Sequence, residues 1–314
     1  MEYNAKVYIA GHNGLVGAAL VRRFKQEGFK NLLLKSHQEL DLTSGKDVNA
    51  FFKKFKPQYV IIAAAKVGGI AANIASPVDF LVENLKIQNN LLEACQRYDA
   101  KKTIFLGSSC IYPREAPQPM LEEYLMHGPV EPTNASYAIA KIAGICLAQS
   151  LCKQYGRNII CPIPCNVYGQ GDHFEFERSH VISALVRRFA EAKESGDGKV
   201  TLWGTGNARR EFLYVDDCAD ACMFLMKNYD SAEIINVGFG EDFSIKELAV
   251  KIAKIAGYNG DILWNHSKPD GMPRKLLDVT KLHKLGWKHK IGLDQGLEMV
   301  FDDFYRRKKS IKDG

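Results

Sequence analysis

The chain has 314 residues and a formal net charge of +6; 46% of it is hydrophobic and 25% charged. These are ordinary globular proportions, and the length exceeds the usual single domain, so a nucleotide-binding domain with a smaller partner is expected. Lysines and arginines are dispersed and no basic stripe interleaves with aromatics, which argues against nucleic acid and suits an anionic small substrate.

Met1-Glu2-Tyr3-Asn4 leads directly into a buried-strand pattern without signal-peptide features. The longest apolar runs, such as Tyr59 to Ala65, are too short to cross a bilayer, so no membrane partner is expected. Strand patterns then fall at Lys6–Ala10, Asn31–Leu34, Tyr59–Ala65, Thr103–Gly107 and Asn158–Ile163. Helical patterns separate them at Gly14–Glu27, Lys46–Lys54, Pro77–Tyr98 and Ala135–Tyr155. This alternation predicts an α/β fold, a doubly wound parallel sheet of Rossmann type, whose ligands bind at the carboxyl ends of the strands.

After Gly169 the rhythm changes. A loop from Gly171 to Phe176, a helix Ser179–Glu194, a strand Val200–Trp203 and a strand Glu211–Val215 are expected in turn. The helix Asp216–Asn228 follows, then the strand Ile234–Gly238 and a capping box at Ser244-Ile-Lys-Glu247 that opens a helix through Ile255. The expected division is a cofactor domain of residues 1–170 plus about 212–240, and a smaller, discontinuous α/β substrate domain of about 171–211 plus 241–314. The run Arg306-Arg307-Lys308-Lys309 reads as a solvated helix end. The 8 cysteines lack zinc spacing, so free thiols in a reducing compartment, the cytoplasm, and no metal are expected.

Four features carry chemistry. Gly11, Gly14 and Gly17 follow a strand and open a helix, a spacing that brings backbone amides and the helix dipole to a pyrophosphate. After the second strand the stretch Lys35-Ser36-His37-Gln38 lacks an acid before Glu39; Lys35 and His37 suit a 2′-phosphate and favour NADP(H), while Asp41 and Leu42 could line the adenine pocket. Tyr137 and Lys141 are four apart on a helix, so the ammonium is expected to sit near the phenol and lower a pKa that starts near about 10. Ser108, at the end of the fourth strand, suits a hydrogen bond to a substrate carbonyl.

Gly11-x-x-Gly14-x-x-Gly17, Ser108 and Tyr137-x-x-x-Lys141 resemble the extended short-chain dehydrogenase/reductase superfamily. Longer strings resemble its GDP-L-fucose synthase family: Ala63-Ala-Ala-Lys-Val-Gly-Gly-Ile70, Leu106-Gly-Ser-Ser-Cys-Ile-Tyr-Pro113, Glu131-Pro-Thr-Asn134, Trp203-Gly-x-Gly206, Arg210-Glu-Phe-Leu213 and Lys268 to Asp278. The resemblance implies 3,5-epimerisation and NADPH-dependent 4-keto reduction of GDP-4-keto-6-deoxy-D-mannose. It assigns the epimerising proton transfers to Cys110 and His180. It places cofactor contacts at Gly11, His12, Asn13, Gly14, Leu15, Val16, Gly17, His37, Asp41, Leu42, Ala64, Leu106, Gly107, Lys141, Pro164, Asn166, Val167 and His180. It places substrate contacts at Ser108, Asn166, Arg188, Trp203, Arg210, Asp270 and Lys275, and it implies a homodimer through the two long helices. Asn13 and His37 depart from the pattern, which often has arginine there. The alternatives are another nucleotide-sugar epimerase, dehydratase or reductase of this superfamily, or a non-catalytic NADP-binding sensor.

Overall fold

The computed structural model describes residues 1–175, 179–268 and 270–312. Residue 176, at the end of the loop expected after Gly171, and residue 269, within the 268–278 string, lie outside the described residues. The first half alternates β1 (Val7–Ala10), α1 (Leu15–Gln26), β2 (Leu32–Leu33), α2 (Gly45–Phe55), β3 (Tyr59–Ile62), α3 (Ile70–Ala75), α4 (Pro77–Arg97), β4 (Lys102–Phe105), α5 (Ala135–Tyr155) and β5 (Ile159–Ile160). These five strands form one parallel sheet in the order β2-β1-β3-β4-β5. All four residues of β1 and of β4 are buried, as strands covered by helices on both faces require. The chain leaves β1 towards β2 and returns on the other side to β3, so the order reverses beside β1 and opens a crevice at the strand ends.

The second half comprises β6 (Pro162–Pro164), β7 (Asn166–Tyr168), α6 (Val181–Ser195), β8 (Lys199–Trp203), β9 (Arg209–Tyr214), α7 (Val215–Asn228), β10 (Ile235–Val237), β11 (Asp242–Ser244), α8 (Ile245–Ala256), β12 (Asp261–Asn265), β13 (Arg274–Lys275), α9 (Thr280–Lys284) and α10 (Leu293–Lys312). β6 continues the line of β5 and pairs in parallel with β10. β9 is the hub: β7 and β13 pair with it in parallel and β11 antiparallel. The capping box at Ser244 and Glu247 is formed as expected.

Several elements escaped the sequence pattern. α3, β7, β11, β13 and α9 each span six residues or fewer, too short to show a period. The pattern also missed the strand β12 and the length of α10. The basic run lies in the last turns of α10 with Arg306 and Lys309 exposed, and it also forms ion pairs: Arg306 and Arg307 each pair with Asp303 at 2.6 Å, and Lys308 pairs with Glu194. The reading that no apolar stretch could span a bilayer is corrected on length, because one helix among the described residues, Pro132–Tyr155, is long and apolar enough. That helix carries the buried Lys141 and packs on α4, where buried Gln88 donates to the Ala140 carbonyl at 2.7 Å.

Candidate active site

The site grows from the β1–α1 turn. Gly11 has φ +82°, and a Cβ there would stand 2.7 Å from the Ala64 backbone at the end of β3. A Cβ at Gly17 would lie 2.0 Å from the Gly11 carbonyl oxygen, so both positions demand glycine for close turn packing. Gly14 is the N-cap of α1 and offers no side-chain cap, leaving the first-turn amides for an anion. Nδ1 of His12 is buried in the same turn without a protein partner. An uncapped helix start beside an orphaned buried nitrogen fits a pyrophosphate.

The loop after β2 is organised by Glu39. It accepts from the Ser36 amide and hydroxyl at 2.9 Å and from Lys35 Nζ at 2.8 Å, while His37 is exposed. Lys35 is thus engaged within its own loop, which leaves His37 as its exposed cationic candidate. Asp41 accepts from the Thr43 amide and hydroxyl, and the Leu42 carbonyl accepts from Asn90.

At the end of β4 the chain turns sharply. Gly107 donates to the Pro162 carbonyl at 2.9 Å, and a Cβ there would meet Ile163 Cδ1 at 2.3 Å. Ser108 caps the short turn Ser109–Ile111, which holds Cys110 at the foot of α5. Lys141 is buried and donates to the Leu106 carbonyl at 2.8 Å, with Nζ 6.0 Å from the Tyr137 ring centre. Burial pulls its ammonium down to about 8.

Tyr137 differs from the expectation. Part of its surface remains accessible, yet protein surrounds the phenol, and burial pushes its pKa up from the ordinary value; the charge of Cys110 adds to this and a hydrogen bond with Ser108 opposes it. Lys141 donates to the Leu106 carbonyl and does not offset the effect of burial on the phenol. The neutral phenol therefore prevails in this geometry.

Cys110 is biased the other way. Lys275 Nζ and Asn134 Nδ2 each donate to its Sγ at 3.3 Å. Burial alone would raise this thiol, but the Lys275 charge, Ser108, and the Lys275 and Asn134 hydrogen bonds outweigh burial and bring it below the ordinary value. Lys275, expected at the substrate, thus touches the thiol. Asn134 closes the Glu131–Asn134 string, and nothing in its sequence position points to the sulfur.

His180 is the N-cap residue of α6, with Nδ1 3.3 Å from Asp172 Oδ1. That hydrogen bond raises its pKa from the ordinary value against the effect of burial. Asp172 had no sequence signal, since it lies in an irregular loop eight residues earlier.

The strand ends beyond carry the rest. Pro164 ends β6; Val167 in β7 pairs with Leu213, and Asn166 donates to the Glu211 carbonyl at 2.9 Å. Arg210 is largely buried, donating to the Arg209 carbonyl at 2.8 Å and the Asp270 carbonyl at 3.4 Å. Asp270 grips the Thr205 amide and hydroxyl at 2.7 Å, fixing the turn after β8. Arg188 and Trp203 line a cavity of about 400 Å³ with Thr201 and Asn265, and Trp203 keeps 53% of its surface exposed. No cluster of metal-ligating side chains occurs among the described residues.

Residues 7–238 match the model of the NAD dependent epimerase/dehydratase family. GDP-L-fucose synthase 1 of Arabidopsis thaliana is 51% identical over 96% of this chain and 93% of its own length. GDP-L-fucose synthase of Escherichia coli (strain K12) is 47% identical over 95% of this chain and 96% of its own. A GDP-mannoheptose C4 reductase from Campylobacter jejuni, solved with NADP bound, superposes with a TM-score of 0.89 at 41% identity, covering 97% of this chain and 99% of that one. With an uncapped glycine turn at its sheet reversal and relatives of this closeness along nearly its whole length, the chain belongs to the NAD dependent epimerase/dehydratase family and, within it, to the GDP-L-fucose synthases.

Proposed function

We propose that this chain converts GDP-4-keto-6-deoxy-D-mannose to GDP-L-fucose, epimerising carbons 3 and 5 and reducing carbon 4 with NADPH. The observation that carries it is the pairing of Cys110 with Lys275 beside Tyr137, because a plain reductase has no need of a thiol held towards thiolate. The residues fit a nicotinamide dinucleotide: Gly11 to Gly17 with the α1 amides for the pyrophosphate, His37 at the ribose end, Asp41, Leu42 and Ala64 along the crevice, and Leu106, Gly107, Lys141, Pro164, Asn166 and Val167 near the reacting ring. When bound, the cofactor supplies hydride to the ketone carbon.

The side chains do the remaining work. Cys110, as thiolate, removes a proton alpha to the ketone, and Lys275 stabilises the sulfur's charge. Ser108 and Tyr137 hydrogen-bond the oxygen on which enolate charge develops. His180, as imidazolium, returns a proton from the opposite face. Tyr137, kept neutral by burial, then protonates the alkoxide formed in reduction. Arg188 and Arg210 suit the diphosphate, and Trp203 offers a flat face to the nucleotide.

The division into a cofactor part and a substrate part belongs to this proposal, as does a cytoplasmic homodimer through α4 and α5. Val78 and Val82, one turn apart on α4, and Ile139 on α5 keep 69%, 39% and 51% of their surface exposed, which supports a covered face. The test is NADPH oxidation with GDP-4-keto-6-deoxy-D-mannose, the product being identified by NMR. GDP-L-fucose is expected. A product with carbons 3 and 5 unchanged would reduce the enzyme to a 4-reductase, the activity named for the Campylobacter jejuni relative.

A further inference from the structure

The carboxylate of Asp172 is fully buried, and each of its oxygens is committed. Oδ2 accepts from the Ser183 hydroxyl at 2.6 Å; Oδ1 accepts from the His173 amide at 2.9 Å and lies 3.3 Å from His180 Nδ1. Among the described residues His180 is its one ionisable hydrogen-bond partner. A buried carboxylate is costly without such a partner, and the contact is made to one ring nitrogen only.

The loop beneath it is fastened from the far end of the chain. Arg307 on α10 donates to the Asp172 carbonyl at 3.0 Å, and Asp303 accepts from the Gly171 amide at 3.2 Å. Asp303 is itself paired with Arg306 and Arg307. From α6, Arg187 donates to the Phe174 carbonyl at 3.2 Å and pairs with Glu191, while His173 faces Glu175. None of these neighbours takes the place of His180 on the carboxylate.

We infer that Asp172 is the positioning residue of His180: it fixes the proton on Nδ1, orients the ring at the start of α6, and leaves Nε2 as the nitrogen that exchanges a proton with the sugar. The acidities of the two groups agree with this. Burial alone would raise the Asp172 carboxyl, but His180, Ser183 and the His173 amide outweigh it and hold it below the ordinary range, while His180 rises. The inference rests on the proposed role of His180 as an epimerisation acid, and the test separates the two.

Histidine ¹H–¹⁵N spectra of the intact enzyme across a pH titration give the tautomer and pKa of His180 without substrate. An Nδ1–H tautomer above its titration and a midpoint above about 6.5 are expected. In Asp172→Asn the midpoint should fall by about one pH unit and the tautomer preference should be lost. A His180 that is Nε2–H in the unaltered enzyme, or that titrates identically in both proteins, overturns the inference. The unaltered enzyme alone decides should the variant not fold. With GDP-4-keto-6-deoxy-D-mannose in deuterated solvent, Asp172→Asn should lower label uptake at the epimerised carbon on the order of 10²-fold with KM nearly unchanged. Absence of uptake in the unaltered enzyme would defeat the epimerase reading while leaving the spectra to judge Asp172.

Discussion

Tyr137 and Cys110 lie in one cleft and their acidities are pushed in opposite directions. Burial keeps the phenol protonated, which suits a proton donor, while Lys275 and Asn134 favour the thiolate, which suits a base. Tyr137→Phe should lower 4-keto reduction by about 10²- to 10⁴-fold and leave NADPH affinity unaltered by fluorescence titration; retained reduction would remove the phenol from the chemistry. Lys275→Met should move the limb along which exchange rises with pH to higher pH, and exchange below that limb should slow about tenfold for every pH unit it moves. An unmoved profile would return Lys275 to substrate binding alone. The Tyr137/Lys141 spacing was legible because helix geometry is local. The direction in which the phenol's acidity moves was not, because it depends on the depth of the cleft and on the Leu106 carbonyl that occupies Lys141. Asp172 and the Lys275–Cys110 contact were equally invisible, since each joins segments with no shared period.

β9 shows how one element serves both fold and site. Arg210 faces the site, and its neighbour Glu211 turns into the core, accepting from the Gly240 amide at 2.7 Å and the Leu277 amide at 3.0 Å. Burial lifts this carboxyl to about 7 although those amides oppose it. The folded state therefore holds the proton more tightly than the unfolded chain between about pH 4.5 and 7, and stability falls as pH rises through that window. Thermal unfolding of Glu211→Gln should show a flatter slope there than the unaltered protein; parallel slopes would contradict the raised carboxyl. The long helices and buried strands were readable from their periods, because an apolar face recurring over several turns marks a helix laid against a core. β11 and β13 were not, because two- or three-residue strands are created by β9 rather than by their own sequence.

For the whole molecule, the ends of the chain converge on the chemistry. The glycine turn lies near the amino terminus, and α10 at the other end anchors the loop that holds Asp172. Arg307→Ala removes the hydrogen bond to Asp172, worth about 1 kcal/mol, together with the Asp303 ion pair, and it should slow epimerisation more than reduction. Equal loss of both would mean that α10 supports the fold generally. The apolar surface on α4 and α5 makes a second prediction at this scale: Val78→Glu with Ile139→Glu should convert a dimer to monomers in sedimentation, and a parent that already sediments as a monomer would end the homodimer proposal. Composition and alternation conveyed the parallel sheet; the convergence of distant loops on one cleft comes only with the folded chain.

The ammonium held against Cys110 has a consequence for covalent labelling. All eight cysteines are free, but burial pushes Cys95 up to about 12 and raises Cys152, Cys161 and Cys165, whereas Cys110 moves down. An unperturbed thiol is only about 1% thiolate at pH 6.5, so in a mildly acidic pulse of iodoacetamide Cys110, though only partly accessible, should compete with the exposed Cys146 and outrun the buried thiols, the sulfur displacing iodide. Peptide mapping would locate the label, and a bound sugar nucleotide should shield it. The thiol proposed as the base would then double as a tethering point for inhibitors that carry an electrophile into the cleft.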